Sequence, residues 1–237
     1  MPSDDGRAHG NFLPETYRAI LGNKNWRRRL HKAHTSAREV LPRTGRRWCE
    51  LDSSNSSDAL LMNVFCYPHK VTRPALSQLV DADAGTAPEF GVKARVPLQN
   101  GRVDGTEIDM RIGDLLVEAK LTEADFQSAP AAVVENYRDF REIFDCEMLP
   151  RNGDRYVSYQ LIRNVLAAHA TGCSFCVMLD ARRPDLVEAW YAVMCAIVIL
   201  DLRLRCKIVT WQELAAYLPR KLQIFLAEKY GIVNAEA

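Results

Sequence analysis

The stretch Glu107-Ile-Asp-Met-Arg-Ile-Gly-Asp-Leu-Leu-Val-Glu-Ala-Lys120 decides how this 237-residue chain is read. Side chains alternate across a strand with a period of two. In Leu115–Leu121, Glu118 and Lys120 therefore share one face, and Val117, Ala119 and Leu121 take the other. Asp109 sits between Ile108 and Met110, which face away from it. Gly113-Asp114 is a tight-turn signal, so the two apolar segments read as a hairpin. Pairing across that hairpin brings Asp109 toward Glu118 and Lys120. Three ionisable groups in an otherwise apolar sheet are costly unless they pair or bind a metal.

The residue types point to a chemistry. Oxygen ligands suit Mg²⁺, with Mn²⁺ as a substitute, and Mg²⁺ takes one or two carboxylates plus water and substrate phosphate. Asp109 and Glu118 are the candidate metal ligands, and the backbone carbonyl of Ala119 between Glu118 and Lys120 is a third. Such a metal polarises a phosphoryl oxygen and activates water. Lys120 is the group to orient or deprotonate that water, or to stabilise charge developing on the phosphate. The plain alternative for Glu-x-Lys is a surface ion pair on an edge strand. The hairpin and the upstream acid favour phosphodiester cleavage.

Asp109, eight residues, then Glu118-Ala119-Lys120 resembles the PD-(D/E)xK superfamily, the restriction-endonuclease-like nucleases. Ile108 stands where that pattern usually has Pro or a small or apolar residue. Further pieces resemble one bacterial branch of restriction-endonuclease-like proteins: Ser53-Ser-Asn-Ser-Ser-Asp-Ala-Leu-Leu-Met-Asn-Val-Phe65, Lys120-Leu-Thr-Glu-Ala-Asp-Phe126, Tyr159-Gln-Leu-Ile-Arg-Asn164 and Thr210-Trp-Gln-Glu-Leu214. The resemblance spans residues 50 to 220, and the order of the pieces carries it. It implies an α/β/α sandwich with a central mixed sheet. It also implies metal-dependent DNA cleavage, with Asp109, Glu118 and Lys120 as the catalytic set. Related nucleases often place a Gln on the helix after the catalytic strands, which singles out Gln160. Arg163, three residues on, shares its helix face. Both are candidates to contact a phosphate or position Lys120. Glu89, at the start of an earlier strand, is a candidate extra carboxylate or a solvent-facing strand end.

A chain of this length can bury a sizeable core, and its composition is that of an ordinary soluble protein. No uncharged apolar stretch reaches the roughly 18 residues of a membrane span, and Ala189–Leu200 reads as a buried helix. The first residues lack a signal-peptide pattern. Seven cysteines without small-domain spacing suggest a reducing cytoplasm. Cys173-Ser-Phe-Cys176 lacks the second half of a zinc site, and it reads as buried cysteines flanking a core strand. His31, His34, His69 and His169 show no metal-ligand spacing.

The net charge of +1 conceals an asymmetry. Residues 1–50 hold eleven Lys or Arg against five Asp or Glu, a net +6, and the remainder carries −5. The basic clusters hold Arg27, Arg28, Arg29 and Lys32, then Arg46 and Arg47, with Trp26 and Trp48 beside them. These suit phosphate neutralisation, and DNA is the expected partner. A solvated helical face is the bland counterpart.

Periodicity predicts an α/β chain. Helices are expected over 14–40, 59–65, 74–81, 128–145, 157–171 and 185–201, with one or two closing helices over 211–229. Strands are expected over 88–97, the hairpin, 175–179 and 206–209, with a turn at Asn100-Gly101. The expected organisation is a basic helical extension, residues 1–50, ahead of a nuclease-like domain, residues 51–237. A homodimer that cuts two strands is compatible with the resemblance. The competing classes are a nucleic-acid-binding protein of the same fold that has lost catalysis, and an RNA nuclease.

Overall fold

In a computed structural model of the chain, residues 8–32, 42–43, 46–47, 49–68, 79 and 86–234 are described. They fall into two compact units, residues 1–90 with 212–237, and residues 91–211.

In the first unit, α1 (Pro14–Gly22) and α2 (Lys24–Arg29) are separate helices. The sequence predicts one helix from 14 to 40. It breaks at Asn23, whose extended backbone ends α1 and whose side chain accepts from the Asn25 and Trp26 amides at 2.9 and 3.2 Å. An Asn that satisfies orphan N–H groups starts a new helix more readily than it continues one. Residues 33–40 of that predicted helix, and most of the predicted 74–81 helix, lie outside the described residues. Two short strands follow, β1 (Pro42–Arg43) and β2 (Arg46–Arg47), paired antiparallel. The helix predicted at 59–65 is present as α3 (Ser57–Phe65), with the Ser56 side chain accepting from the Ala59 amide at 3.1 Å. All nine of its residues are buried, and Ala59, Met62 and Cys66 pack with Phe12, Tyr17, Ile20 and Leu51.

The second unit is built on the hairpin. Strand β3 (Glu89–Lys93), whose first two residues are counted with the first unit, is the edge of the main sheet, followed by the short pair β4 (Val96–Pro97) and β5 (Val103–Asp104). The strand predicted from 88 to 97 is thus split, at Arg95, whose φ of +55° turns the chain. Then come β6 (Glu107–Ile112) and β7 (Leu115–Ala119), paired antiparallel with Ile112 opposite Leu115 across Gly113. Gly113 has φ +60°, the left-handed conformation a two-residue hairpin turn demands. In β6 burial alternates as predicted, with Ile108, Met110 and Ile112 buried. All five residues of β7 are buried.

A small sheet joins β8 (Ser128–Pro130), β9 (Arg151–Asn152) and β10 (Arg155–Val157). The helix predicted over 128–145 is replaced by β8 and two single turns, α4 (Ala131–Val134) and α5 (Phe140–Ile143). Val134, Tyr137, Phe140 and Ile143 are buried at helix-like spacing, which misled the periodicity. Strand pairing of β8 with β10 and a bridge from Tyr137 to Leu98 override it.

Helix α6 (Tyr159–Thr171) leads to β11 (Ser174–Leu179), which lies parallel to β7. Helix α7 (Pro184–Cys195) and α8 (Leu200–Leu204) lead to β12 (Cys206–Thr210), parallel to β11. The helix predicted at 185–201 breaks at 196–199 because Ile197 bridges to Phe144. Helices α9 (Trp211–Ala216) and α10 (Arg220–Tyr230) close the chain. The sheet runs β12-β11-β7-β6-β3, mixed and flanked by helices, the α/β arrangement that the resemblance implies. Strand β11, between β12 and β7, is buried along its whole length, the pattern of a parallel strand covered on both faces. Trp190 of α7 packs edge-on against Phe175 of β11 at 5.4 Å. Cys173, Cys176 and Cys206 are buried free thiols of this core.

Gly113→Val should destabilise the protein by about 1–2 kcal/mol, because a side chain there must hold a left-handed backbone. Gly113→Asn should cost less. Urea midpoints at constant m-value check this.

Candidate active site

The buried end of β7 is organised by a spacing match. Glu118 and Lys120 stand two residues apart on one face, an axial step of about 6.6 Å in a strand. Gln160 and Asn164 stand four apart on one face of α6, an axial step of about 6 Å in a helix. The two steps coincide when the helix runs opposite to the strand. Lys120 Nζ then donates to Gln160 Oε1 at 2.8 Å, and Asn164 Nδ2 donates to Glu118 Oε2 at 2.7 Å. Along β7 itself, Lys120 Nζ lies 3.1 Å from Glu118 Oε1. The pair is not a surface salt bridge, since Glu118 is 2% and Lys120 5% exposed. Burial works to lower the Lys120 ammonium, but the Glu118, Asp109 and Glu123 carboxylates outweigh it and hold the group above the usual lysine value.

The backbone around Lys120 is pinned on both sides. Its N–H donates to the Met178 carbonyl at 2.8 Å, and its carbonyl accepts from the Trp211 indole at 2.8 Å. The Phe126 ring lies 5.5 Å from Nζ. Glu123 Oε2 accepts the Leu121 and Thr122 amides at 2.7 and 3.0 Å, which shapes the exit from the strand. Arg183 clamps the same loop through the carbonyls of Glu123 and Ala124 at 2.7 and 3.0 Å.

Asp109 joins the group from β6. Its Oδ2 accepts the Ala119 N–H at 2.8 Å. Because the Lys120 N–H faces β11, the Ala119 N–H and carbonyl both face β6, as alternate residues of a strand do. The Ala119 carbonyl is therefore directed to the Asp109 side. This all-oxygen set of two carboxylates and one carbonyl fits a hard divalent cation. Among the described residues there is no group of three His, Cys, Asp or Glu that could hold a metal ion. The fit consequently relies on that carbonyl, water or substrate oxygen to complete the shell, which Mg²⁺ habitually uses.

The accessory candidates separate. Gln160 touches Lys120 directly. Arg163 is buried and does not present itself to a phosphate. Its Nε and Nη2 hold Asn164 Oδ1 at 3.2 and 3.0 Å, and Nη2 also donates to the Glu107 carbonyl at 3.2 Å. Glu89 is exposed at the start of β3 and belongs to the other compact unit.

The basic set also separates. Arg27 and Arg28 are exposed on α2. Arg29 is turned inward, 2.5 Å from Asp58 and 3.3 Å from Glu50, so it leaves the set available to a phosphate. Burial pushes the Asp58 carboxyl up to about 6 even with that guanidinium beside it. Lys32 pairs with Glu50 at 3.0 Å. Trp26 packs on the core and donates to the Pro88 carbonyl at 2.8 Å. The side chains of Arg46 and Arg47, and Trp48 with its whole backbone, lie outside the described residues.

Sequence reasoning missed Asn164, Trp211, Glu123 and Arg183 as members of this site. Asn164 carried a signal, being four residues after Gln160. Removing one partner of a buried pair leaves an uncompensated charge, so Lys120→Met should cost about 3–5 kcal/mol. Adding Glu118→Gln should recover part of that loss. Since the Lys120 value is raised on folding, its stabilisation is intact below the ordinary lysine value and is lost as pH rises through the folded one. Lys120→Met should therefore flatten the alkaline limb of a stability–pH curve.

Comparison with curated proteins and with solved structures finds no match. No helix among the described residues is long and apolar enough to cross a membrane. A family model described as a restriction endonuclease associating with ARP matches residues 1–231. The restriction-endonuclease-like superfamily that the sequence resembles agrees with that match, and the chain belongs to this restriction-endonuclease family of hydrolases acting on nucleic acids.

Proposed function

We propose that the chain is a divalent-metal-dependent nuclease that hydrolyses phosphodiester bonds in DNA. The observation that carries this reading is Asp109 Oδ2 seated on the Ala119 N–H beside the buried Glu118–Lys120 pair. Asp109, Glu118 and the Ala119 carbonyl would hold Mg²⁺, or Mn²⁺ in its place. The cation would polarise the scissile phosphate and lower the pKa of a water. Lys120 keeps its ammonium at the site, oriented by Gln160, and positions the attacking water or stabilises charge on the phosphate. Phe126, Trp211 and the Glu123 turn hold that lysine in place. Glu89, exposed on β3, is a further candidate carboxylate. Arg27 and Arg28, exposed on α2, would neutralise DNA phosphates.

Purified protein with plasmid, linear duplex, single-stranded DNA and RNA should cleave DNA with Mg²⁺ or Mn²⁺ and not with EDTA. Glu118→Gln and Asp109→Asn should reduce cleavage by about 10²-fold or more while circular dichroism and melting show a folded protein. Cleavage of RNA alone would move the substrate class. Tight metal-independent DNA binding with no cleavage under any cation would leave a binding protein of this fold.

The exposed arginines make a separate prediction. Arg27→Ala with Arg28→Ala should weaken DNA binding across all sequences and reduce the slope of log affinity against log salt by about 2. Arg29→Ala should instead lower stability, which a melting curve with and without DNA separates from a binding defect.

A further inference from the structure

We infer that Asn164 is a positioning residue for the candidate active site. Its amide, locked by Arg163, holds Glu118 Oε2 and so fixes how that carboxylate faces a cation. This rests on the reading of Asp109 and Glu118 as cation ligands.

Asn164 is fully buried, and its two neighbours settle its polarity. A guanidinium only donates and a carboxylate only accepts. With Arg163 Nε and Nη2 on Oδ1, the Nδ2 group must point at Glu118, where it lies 2.7 Å from Oε2. A buried Asn that flipped would set its oxygen against a carboxylate and its NH₂ against a guanidinium, losing three hydrogen bonds at once. The side chain thus has one orientation available.

The relay extends beyond one contact. Arg163 Nη2 reaches the Glu107 carbonyl on β6 at 3.2 Å, and Glu107 is two residues from Asp109. Helix α6 therefore braces both strands that carry the carboxylates, one through Arg163 and one through Asn164. With Asn164 on Oε2 and Lys120 on Oε1, the Glu118 carboxylate plane is held from two directions. Fixing a ligand by hydrogen bonds to its outer atoms commonly changes metal affinity by 10–100-fold. Asn164 is too deeply buried to meet substrate, so it acts only through Glu118.

The test measures Mn²⁺ binding by calorimetry on the folded protein without nucleic acid, below the melting temperature of each variant. Wild type, Glu118→Gln, Asn164→Ala, Arg163→Met and Arg163→Lys are compared. Asn164→Ala should weaken Mn²⁺ by about 10-fold or more and lower Mg²⁺-dependent cleavage by a similar factor. Arg163→Met should move both in the same direction, and Arg163→Lys, which keeps one donor for Oδ1, should recover part of the loss. If Asn164→Ala does not fold, the two Arg163 variants carry the same comparison.

Unchanged Mn²⁺ affinity in Asn164→Ala and Arg163→Met, with only lower melting temperatures, would overturn the inference. If Glu118→Gln loses Mn²⁺ binding and the Asn164 and Arg163 variants do not, this inference fails and the nuclease reading stands. If wild type shows no Glu118-dependent Mn²⁺ binding, both fail.

Discussion

The axial step of α6 matches the axial step of β7, and the candidate site depends on it. Four residues of helix and two residues of strand each advance about 6–7 Å, so two helical side chains meet two strand side chains without distortion. Gln160 meets Lys120 and Asn164 meets Glu118. The match holds because β7 and β11 are parallel and α6 connects them, running back across the sheet. A parallel sheet needs such a crossover, so the topology itself supplies the helix that brackets the charged pair.

A Glu and a Lys in a buried strand are an unpromising source of stability. Desolvation opposes both, and a well-packed apolar pair of similar size is often as stable or more so. Here every polar end has a partner: Lys120 has Glu118 and Gln160, Glu118 has Lys120 and Asn164, and Asn164 has Arg163. A network satisfied in this way is rigid, which is the property a site for oriented chemistry requires. The position is also chemically apt. Glu118 and Lys120 stand at the end of β7, where the ladder to β6 gives way to the Asp109 side chain on the Ala119 N–H.

The hairpin was legible in the sequence because it follows from local rules: alternation, a Gly at the turn, and Glu118 and Lys120 two residues apart on one face. Strand β11 was legible as an apolar run, and the order of the resembling pieces pointed to the fold. Those pieces have a physical meaning in the second unit. Lys120–Phe126, Tyr159–Asn164 and the Trp211 segment all converge on Lys120 or Glu118. Residues 128–145 were not legible, since single turns and strand pairings can place Val134, Tyr137, Phe140 and Ile143 inward at a helical period. The inward turn of Arg29 was not legible either. Three consecutive arginines look alike in sequence, and only the buried Asp58 on α3 distinguishes the third.

Anomalous scattering from a crystal soaked in Mn²⁺ tests the central claim most directly. The account predicts one strong peak in contact with the Asp109 and Glu118 carboxylates on the side of the Ala119 carbonyl, and its loss in Glu118→Gln. A peak that forms only elsewhere on the protein, or one that survives in Glu118→Gln, would contradict it.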